Sequence, residues 1–400
     1  MRLPEIQSEV AAAVQRLWPG VPVKVEFLPL ADLALGIAGS DLPLQLAALL
    51  KIEAAAAGAK LLCELPGRPE VNWKVADGFL NLQALDPRRL GIQFESPADG
   101  RQHALVLPPR AAWIGELAWL RVAALALIQW SLLRRTGCEV ALYIQGAGRL
   151  LGTEELGAAE LFRLILDNLE LQKPLAAGAD CRAALAELVQ LAGPESRTTI
   201  WLLPRSFSRR DYFSFVTGIG AGPGLNRRVR CPEQTWLSGN LPRQFTWRDW
   251  SDSDAKALIL YLAGPVFGVD LDFQVPRSNE RGNLHWYATS TRERLVRLWD
   301  ESRLQFQFAG AIEPLSCLER ELLSRLLLLP EFSAQAAVAG ETGRLVFVLE
   351  DLLVLLNRLF NAPAFRIRLE RGLLRSAECQ ILSGVLQLLS DMIDSWELLH

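Results

Sequence analysis

Four hundred residues, 50% apolar and 22% charged, make an ordinary globular chain of roughly two to four domains with sizeable cores. A net charge of −3 and a pI near 5.8 place no global demand for a polyanionic partner. The apolar stretch Ala111–Leu133 is interrupted by Glu116, Arg121 and Gln129, and the opening MRLPEIQSEV has no apolar signal core. The expectation is therefore a cytoplasmic protein with no membrane contact.

The small N-terminal α/β block, 1–90, comes first. An amphipathic helix is predicted over Ile6–Leu17, a β-like run over Val21–Leu28, a second helix over Leu42–Ala59 and a β-like close over Val71–Leu82. A connector bearing proline and glycine, about 86–101, leads into a second block, 102–250. Strand-like runs at Ala104–Leu107, Val140–Ile144 and Thr199–Leu203 alternate there with helical stretches at Trp113–Arg135, Glu155–Leu171 and Arg182–Leu191. That alternation predicts a reduced Rossmann-like parallel-sheet domain. Beyond Ser251 the pattern is all-α: a helical stem over 251–312 and a helical bundle over 313–400. Apolar residues in Glu313–Leu329, Thr342–Phe360 and Phe365–Leu389 recur there at three- and four-residue spacing.

Chemistry-bearing constellations are few. Cys63, Cys138, Cys181, Cys231, Cys317 and Cys379 show no CxxC or Cys/His spacing, so neither disulfides nor a metal site is expected. No Ser/His/Asp or Cys/His set appears; the only histidines are His103, in a strand-like run, His285 and His400. Acid pairs such as Glu154-Glu155 and Asp252/Asp254 flank helical segments and read as cap and dipole partners. Gly218–Gly224 is glycine-rich but contains Pro223 and lacks the Gly-Lys-Ser/Thr ending of a phosphate loop; it reads as a surface loop, the alternative being a backbone-amide site for RNA phosphate flanked by arginines. Arginine dominates the basic residues, 36 against six lysines. A high G+C genome accounts for the total but not for the distribution. Between Arg197 and Arg248 nine arginines face only Asp211 and Glu233, an electrostatic footprint suited to RNA. Arg205, Arg209, Arg210, Arg227, Arg228 and Arg230 are its candidate contacts. A second cluster, Arg366, Arg368, Arg371 and Arg375, surrounds the single acid Glu370 and could line one helix face toward phosphates.

Asp270–Phe273 followed by Arg277-Ser278-Asn279-Glu280-Arg281-Gly282-Asn283 and Trp286-Tyr287-Ala288 resembles the arginyl-tRNA synthetase stem, whose pattern is "LDFDLD" then "SNENPVYYVQYAHARI". Ser253–Tyr261 resembles that family's helix preceding the stem. Leu326–Glu331, Leu349–Asn361 and Gln380–Leu389 resemble its DALR anticodon-binding bundle. Leu44–Ala47 and Val75–Asn81 are similar to the "ALQLA" and "VAGPGFIN" signatures of its additional N-terminal domain, which the resemblance implies contacts the tRNA elbow.

The chain departs from that family where the chemistry should lie. Leu120-Arg121 and Gly137–Val140 match the flanks of the "HIGH"-type ATP signature, but Glu116 and Trp119 stand where its two histidines belong. Glutamate repels a triphosphate, and tryptophan fills the nucleotide's space. The "KMSK" region reads Trp236-Leu237-Ser238-Gly239, with Ser238 and no lysine to stabilise transferring phosphates. Only about 115 residues separate the two signatures, roughly half of what the resemblance requires. In the bundle, Val348 and Leu359-Phe360 replace tyrosines that the family sets against the anticodon loop, where each stacked base is worth about 1–3 kcal/mol. The expectation is a catalytically inactive paralogue without cofactor. It binds tRNA or another structured RNA as an adaptor or regulator, with a tRNA-modifying enzyme or other protein as a further partner. The rivals are a protein scaffold that no longer touches RNA and a residual ATP-dependent arginine–tRNA ligase.

Overall fold

The computed structural model describes residues 3–29, 36, 38–68, 71–84, 102–107, 116–135, 138–143, 150–151, 162–163, 197–201, 228–230, 250–264, 272–301, 314–339 and 342–397. The chain forms two compact units, each gathered from separate stretches. The first takes Met1–Glu95, Ser302–Glu331 and Val354–Val385, and the second Ser96–Glu301, Phe332–Leu353 and Leu386–His400. The expected helices at Glu155–Leu171 and Arg182–Leu191 lie outside the described residues, apart from 162–163, and the glycine-rich loop lies wholly outside them.

In the first unit, α1 (Leu3–Leu17) buries Ile6, Val10, Ala13 and Val14, one stripe at helical spacing. The run after it alternates in burial from Val21 to Phe27, as a strand does, yet only Leu28–Pro29 (β1) pairs. Gln45 takes a strand partner's place: its Oε1 accepts from the Lys24 backbone N–H at 3.3 Å and its Nε2 donates to the Lys24 carbonyl at 3.2 Å. After β2 (Ala38–Ser40), the predicted helix Leu42–Ala59 is two helices, α2 (Leu42–Leu50) and α3 (Ala54–Glu64). Lys51 breaks it by adopting a left-handed φ of 55°, which sends its N–H to the Ala47 carbonyl. The predicted single close Val71–Leu82 is a hairpin, β3 (Val71–Ala76) and β4 (Phe79–Ala84). Asp77 and Gly78 turn it with φ of 51° and 80°, the two left-handed positions of a type I′ turn. The antiparallel order is β1-β2-β4-β3.

The second unit holds a sheet of order β7-β6-β5-β8-β9. From β5 (Gln102–Val106) the chain runs through α4 (Glu116–Arg135) to β6 (Glu139–Tyr143), parallel to β5; β7 (Leu150–Leu151) adds antiparallel. β8 (Arg197–Trp201) then pairs parallel on the other side of β5, and β9 (Arg228–Arg230) parallel beyond it. The order therefore reverses at β5, and in such sheets ligands sit beyond the carboxyl ends of the strands at the reversal. His103 is a buried β5 residue, as the strand reading expected. Leu117–Arg134 of α4 does reach the length and hydropathy of a bilayer span, and its charges do not interrupt it as the sequence reading held. Since 83% of it is buried within the fold, it is a core helix, apolar on every side.

The remaining helices are α5 (Asp252–Ala263), α6 (Leu284–Glu301), α7 (Cys317–Ala339), α8 (Thr342–Asn361), α9 (Pro363–Glu370) and α10 (Ser376–Glu397). In the second unit α5 packs on both α4 and α6. A capping box opens α5: the Asp254 N–H donates to Ser251 Oγ at 3.2 Å and the Ser251 N–H to Asp254 Oδ2 at 2.9 Å, so this acid is the cap partner its position predicted. Ser316 and Glu319 repeat the device at the start of α7. That helix continues past Pro330 to Ala339, beyond the expected end at Leu329, with the proline costing one backbone hydrogen bond. The predicted run Phe365–Leu389 is broken into α9 and α10, with Gly372 at φ 66° in the turn between them.

Candidate functional site

The residues that the ATP signature would occupy fall on the first turns of α4, directly after β5 at the sheet's reversal. Glu116 is the helix's first residue. Trp119 is 1% exposed and belongs to the core, among the largest wholly buried side chains. Arg121 is 4% exposed, and burial pushes its guanidinium pKa below the ordinary value. Among the described residues its Nε and Nη1 have no hydrogen-bond partner. Ser238 lies outside the described residues.

Arg205, Arg209, Arg210 and Arg227 also lie outside the described residues. Arg228 and Arg230 lie in β9, where Arg228 is registered with Thr199 and Arg230 with Trp201 of β8.

The bundle arginines do not share one helix face. Arg366 and Arg368 are on α9, Arg371 follows its last residue, and Arg375 precedes α10. Two of the four are already engaged: Arg368 Nε donates to both oxygens of Glu378 at 3.1 Å, and Arg375 Nη2 donates to Glu319 and, at 3.5 Å, to Glu378. Both carboxylates are wholly buried. Glu378 also accepts the Arg375 backbone N–H at 2.9 Å, completing half of a capping box at the start of α10. Arg366 and Arg371 are exposed and remain the two of this cluster whose heads face water.

A site that charge alone did not reveal is the β3–β4 turn. Phe79 is 41% exposed and Leu44 of α2 42% exposed. A Cβ on Gly78 would lie 2.8 Å from Leu44 Cδ2, so the turn rests directly on Leu44. The fold thus brings the Leu44–Ala47 and Val75–Asn81 segments together at this turn, which carries the exposed side chains Leu44 and Phe79. Asn81, two residues on, is 2% exposed, and its Oδ1 has no partner among the described residues.

The stem segment is built for rigidity. Asn283 Nδ2 donates to the carbonyls of Pro276 at 2.7 Å and Ser278 at 3.0 Å, while its Oδ1 accepts the Trp286 N–H at 3.0 Å, capping α6. Tyr287 Oη donates to the Leu353 carbonyl at 3.0 Å. His285 Nδ1 lies 3.3 Å from Ser253 Oγ; burial, reinforced by Lys256 and opposed by Asp254, lowers its pKa to about 4. It is a neutral core residue. Among the described residues no group of His, Cys, Asp and Glu could hold a metal.

No family model matches the chain, and no curated protein matches it in sequence. Its fold is similar to that of an arginyl-tRNA synthetase from Thermus thermophilus, with a TM-score of 0.59, 14% identity and 99% of each chain covered. It is also similar to the arginyl-tRNA synthetase of Plasmodium falciparum, with a TM-score of 0.59, 8% identity, and 99% of this chain and 97% of that chain covered. The chain therefore has an arginyl-tRNA synthetase-like fold over nearly its whole length.

Proposed function

We propose that this chain binds tRNA, or RNA folded like it, without charging it, and acts in the cytoplasm as an adaptor for tRNA maturation or a regulator of translation. The observation that carries RNA contact is the exposed Phe79–Leu44 spot. It lies where two segments meet that resemble signatures of that family's additional N-terminal domain, the domain the resemblance implies contacts the tRNA elbow, and Phe79 offers an aromatic side chain to an unstacked base. Arg366, Arg371 and the β9 pair Arg228 and Arg230 supply phosphate contacts around a chain of near-neutral charge. Loss of catalysis is supported by Trp119. A side chain held in the core cannot present a hydrogen-bonding ring to a triphosphate, as an imidazole at that position would.

Binding of purified tRNA across a salt series tests the reading. A log-affinity that falls with log salt, and a Phe79→Ala variant weakened by about 1–3 kcal/mol with unchanged circular dichroism, are expected. A flat salt response would favour the protein scaffold instead. Arginine-dependent pyrophosphate exchange above background would overturn the non-catalytic half.

A further inference from the structure

The outward side of α9 and the turn after it leave two large apolar side chains in water: Ile367 is 49% exposed and Leu373 65%. The backbone sets them close together. The Gly372 N–H donates to the Leu369 carbonyl at 3.1 Å and the Leu373 N–H to the Arg368 carbonyl at 2.8 Å, with Gly372 at φ 66°. That is a Schellman ending, which folds the residue after the glycine back beside the turn that holds Ile367. The inner side of the same helix is fixed. Phe365 is buried and meets Phe360 edge-on, with ring centroids 5.8 Å apart, and Arg368 is held by the buried Glu378. The exposed pair therefore stands on a rigid frame, and its apolar area leaves water only by contact with another molecule.

The charges on this face complement one another when the face meets itself. Arg366 and Glu370 are both exposed and one turn apart. They lie about 40° from each other around the helix, on the same flank of Ile367. A second α9 laid antiparallel across the first, by a two-fold axis level with Arg368, sets each flank opposite itself and reverses the order along it. Arg366 then faces Glu370 of the second copy, and Glu370 faces its Arg366. The same axis puts Leu373 over the exposed Pro363 of the second copy and Ile367 beside its counterpart. A parallel pairing would bring Arg366 level with Arg366, which like charges oppose.

We propose that a second copy of this chain covers the outward side of α9, in an isologous antiparallel contact with two reciprocal Arg366–Glu370 pairs around Ile367 and Leu373. Two large apolar side chains from each copy make a smaller contact than the about 800 Å² per partner of a standard interface, so the dimer is transient. RNA is the poorer occupant of the apolar part, since Ile367 and Leu373 offer a base no π face. Arg366 is also one of the phosphate contacts in the reading above, and dimer formation withdraws it, so the second copy and RNA compete there. Only that competition rests on the RNA reading; the dimer does not.

Sedimentation velocity of the full chain from about 1 μM to about 1 mM tests the contact. The weight-average sedimentation coefficient of the wild type is expected to rise with concentration, and to rise less at high salt. Ile367→Glu and Leu373→Glu replace exposed side chains, and both are expected to stay monomeric with unchanged circular dichroism. Arg366→Glu alone and Glu370→Arg alone each oppose like charges across the axis, and each is expected to weaken self-association at least roughly 10-fold. Mixed in equal amounts, these two variants restore both pairs and are expected to associate with each other as well as the wild type does. A wild type that is monomeric at every concentration overturns the proposal. So does a wild type that dimerises while the mixed variants do not, because the contact then lies on another surface. Added tRNA is expected to lower the dimer fraction. An unchanged fraction with tRNA bound overturns the competition, whereas absence of any tRNA binding sinks the RNA reading and leaves the dimer standing.

Discussion

Replacing Arg375 with alanine separates the two roles available to the bundle arginines. Arg375, just before α10, donates from Nη2 to Glu319 of α7, and it also reaches Glu378 at 3.5 Å. After the substitution Glu378 retains Arg368 and the residue-375 backbone N–H, whereas among the described residues Glu319 retains its cap bond from the Ser316 N–H at 2.7 Å. Glu319 is wholly buried. Removing one partner of a buried ion pair costs about 3–5 kcal/mol, because the charge left behind is uncompensated. Arg371 is exposed, and its alanine variant should change stability by no more than about 0.5 kcal/mol. Urea unfolding followed by far-ultraviolet circular dichroism measures both, provided the slope against denaturant is unchanged. Arg375→Met combined with Glu319→Leu removes both charges together and should recover much of the loss. If Arg375→Ala and Arg371→Ala prove equally mild, the buried-pair argument fails, and Arg375 returns to the pool of residues free to meet RNA.

The other predictions are independent of that pair. Arg366→Ala and Arg371→Ala should each lower the slope of log tRNA affinity against log salt by about 0.9, one phosphate apiece, and unchanged slopes would remove them from the interface. His285 is neutral in the folded chain down to pH about 4 but titrates near 6.5 when unfolded. The unfolded state therefore binds the extra proton between those values, and stability should rise by up to about 3 kcal/mol as pH increases from 4 to 6.5. A His285→Phe variant should flatten that part of the profile, measured by denaturant midpoints at each pH. Gly78→Ala should cost about 1–2 kcal/mol for its left-handed φ of 80°, plus a contact with Leu44. Adding Leu44→Ala should return only the contact part, as a double-mutant cycle would read.

Where a helix or strand is visible from sequence, burial had already written its period into the chain. The alternation of Val21, Val23, Val25 and Phe27 shows in their burial, but pairing depends on whether a neighbouring strand is present, and Gln45 occupies that place instead. Helix breaks divide the same way. Gly372 announces the turn between α9 and α10 because glycine tolerates a positive φ, whereas Lys51 adopts one with nothing in Lys-Ile-Glu to signal it. The Asp77-Gly78 pair is a strong hairpin signal, and it divides into two strands what apolar content alone presents as one extended run from Val71 to Leu82.

The site was legible only where chemistry is carried by residue type. Glu116 and Trp119 in place of histidines are visible in the bare sequence, and burial of Trp119 adds that the substitution was built into the core. The arginine cluster misled because density of charge says nothing about its partners. Arg366 and Arg368 are two residues apart, hence about 200° apart around a helix, and cannot share a face. The acid that occupies Arg375 is 56 residues away, a separation that no local pattern can report. A buried carboxylate at the third position of a helix is the clue that was available. Glu319 and Glu378 each sit there, and a carboxylate that turns back to cap its own helix can satisfy an arginine arriving from elsewhere at the same time. Charge counted along the chain therefore overstates what faces solvent by the number of arginines such acids retain, and the positive surface these four arginines offer is correspondingly smaller than their number implies.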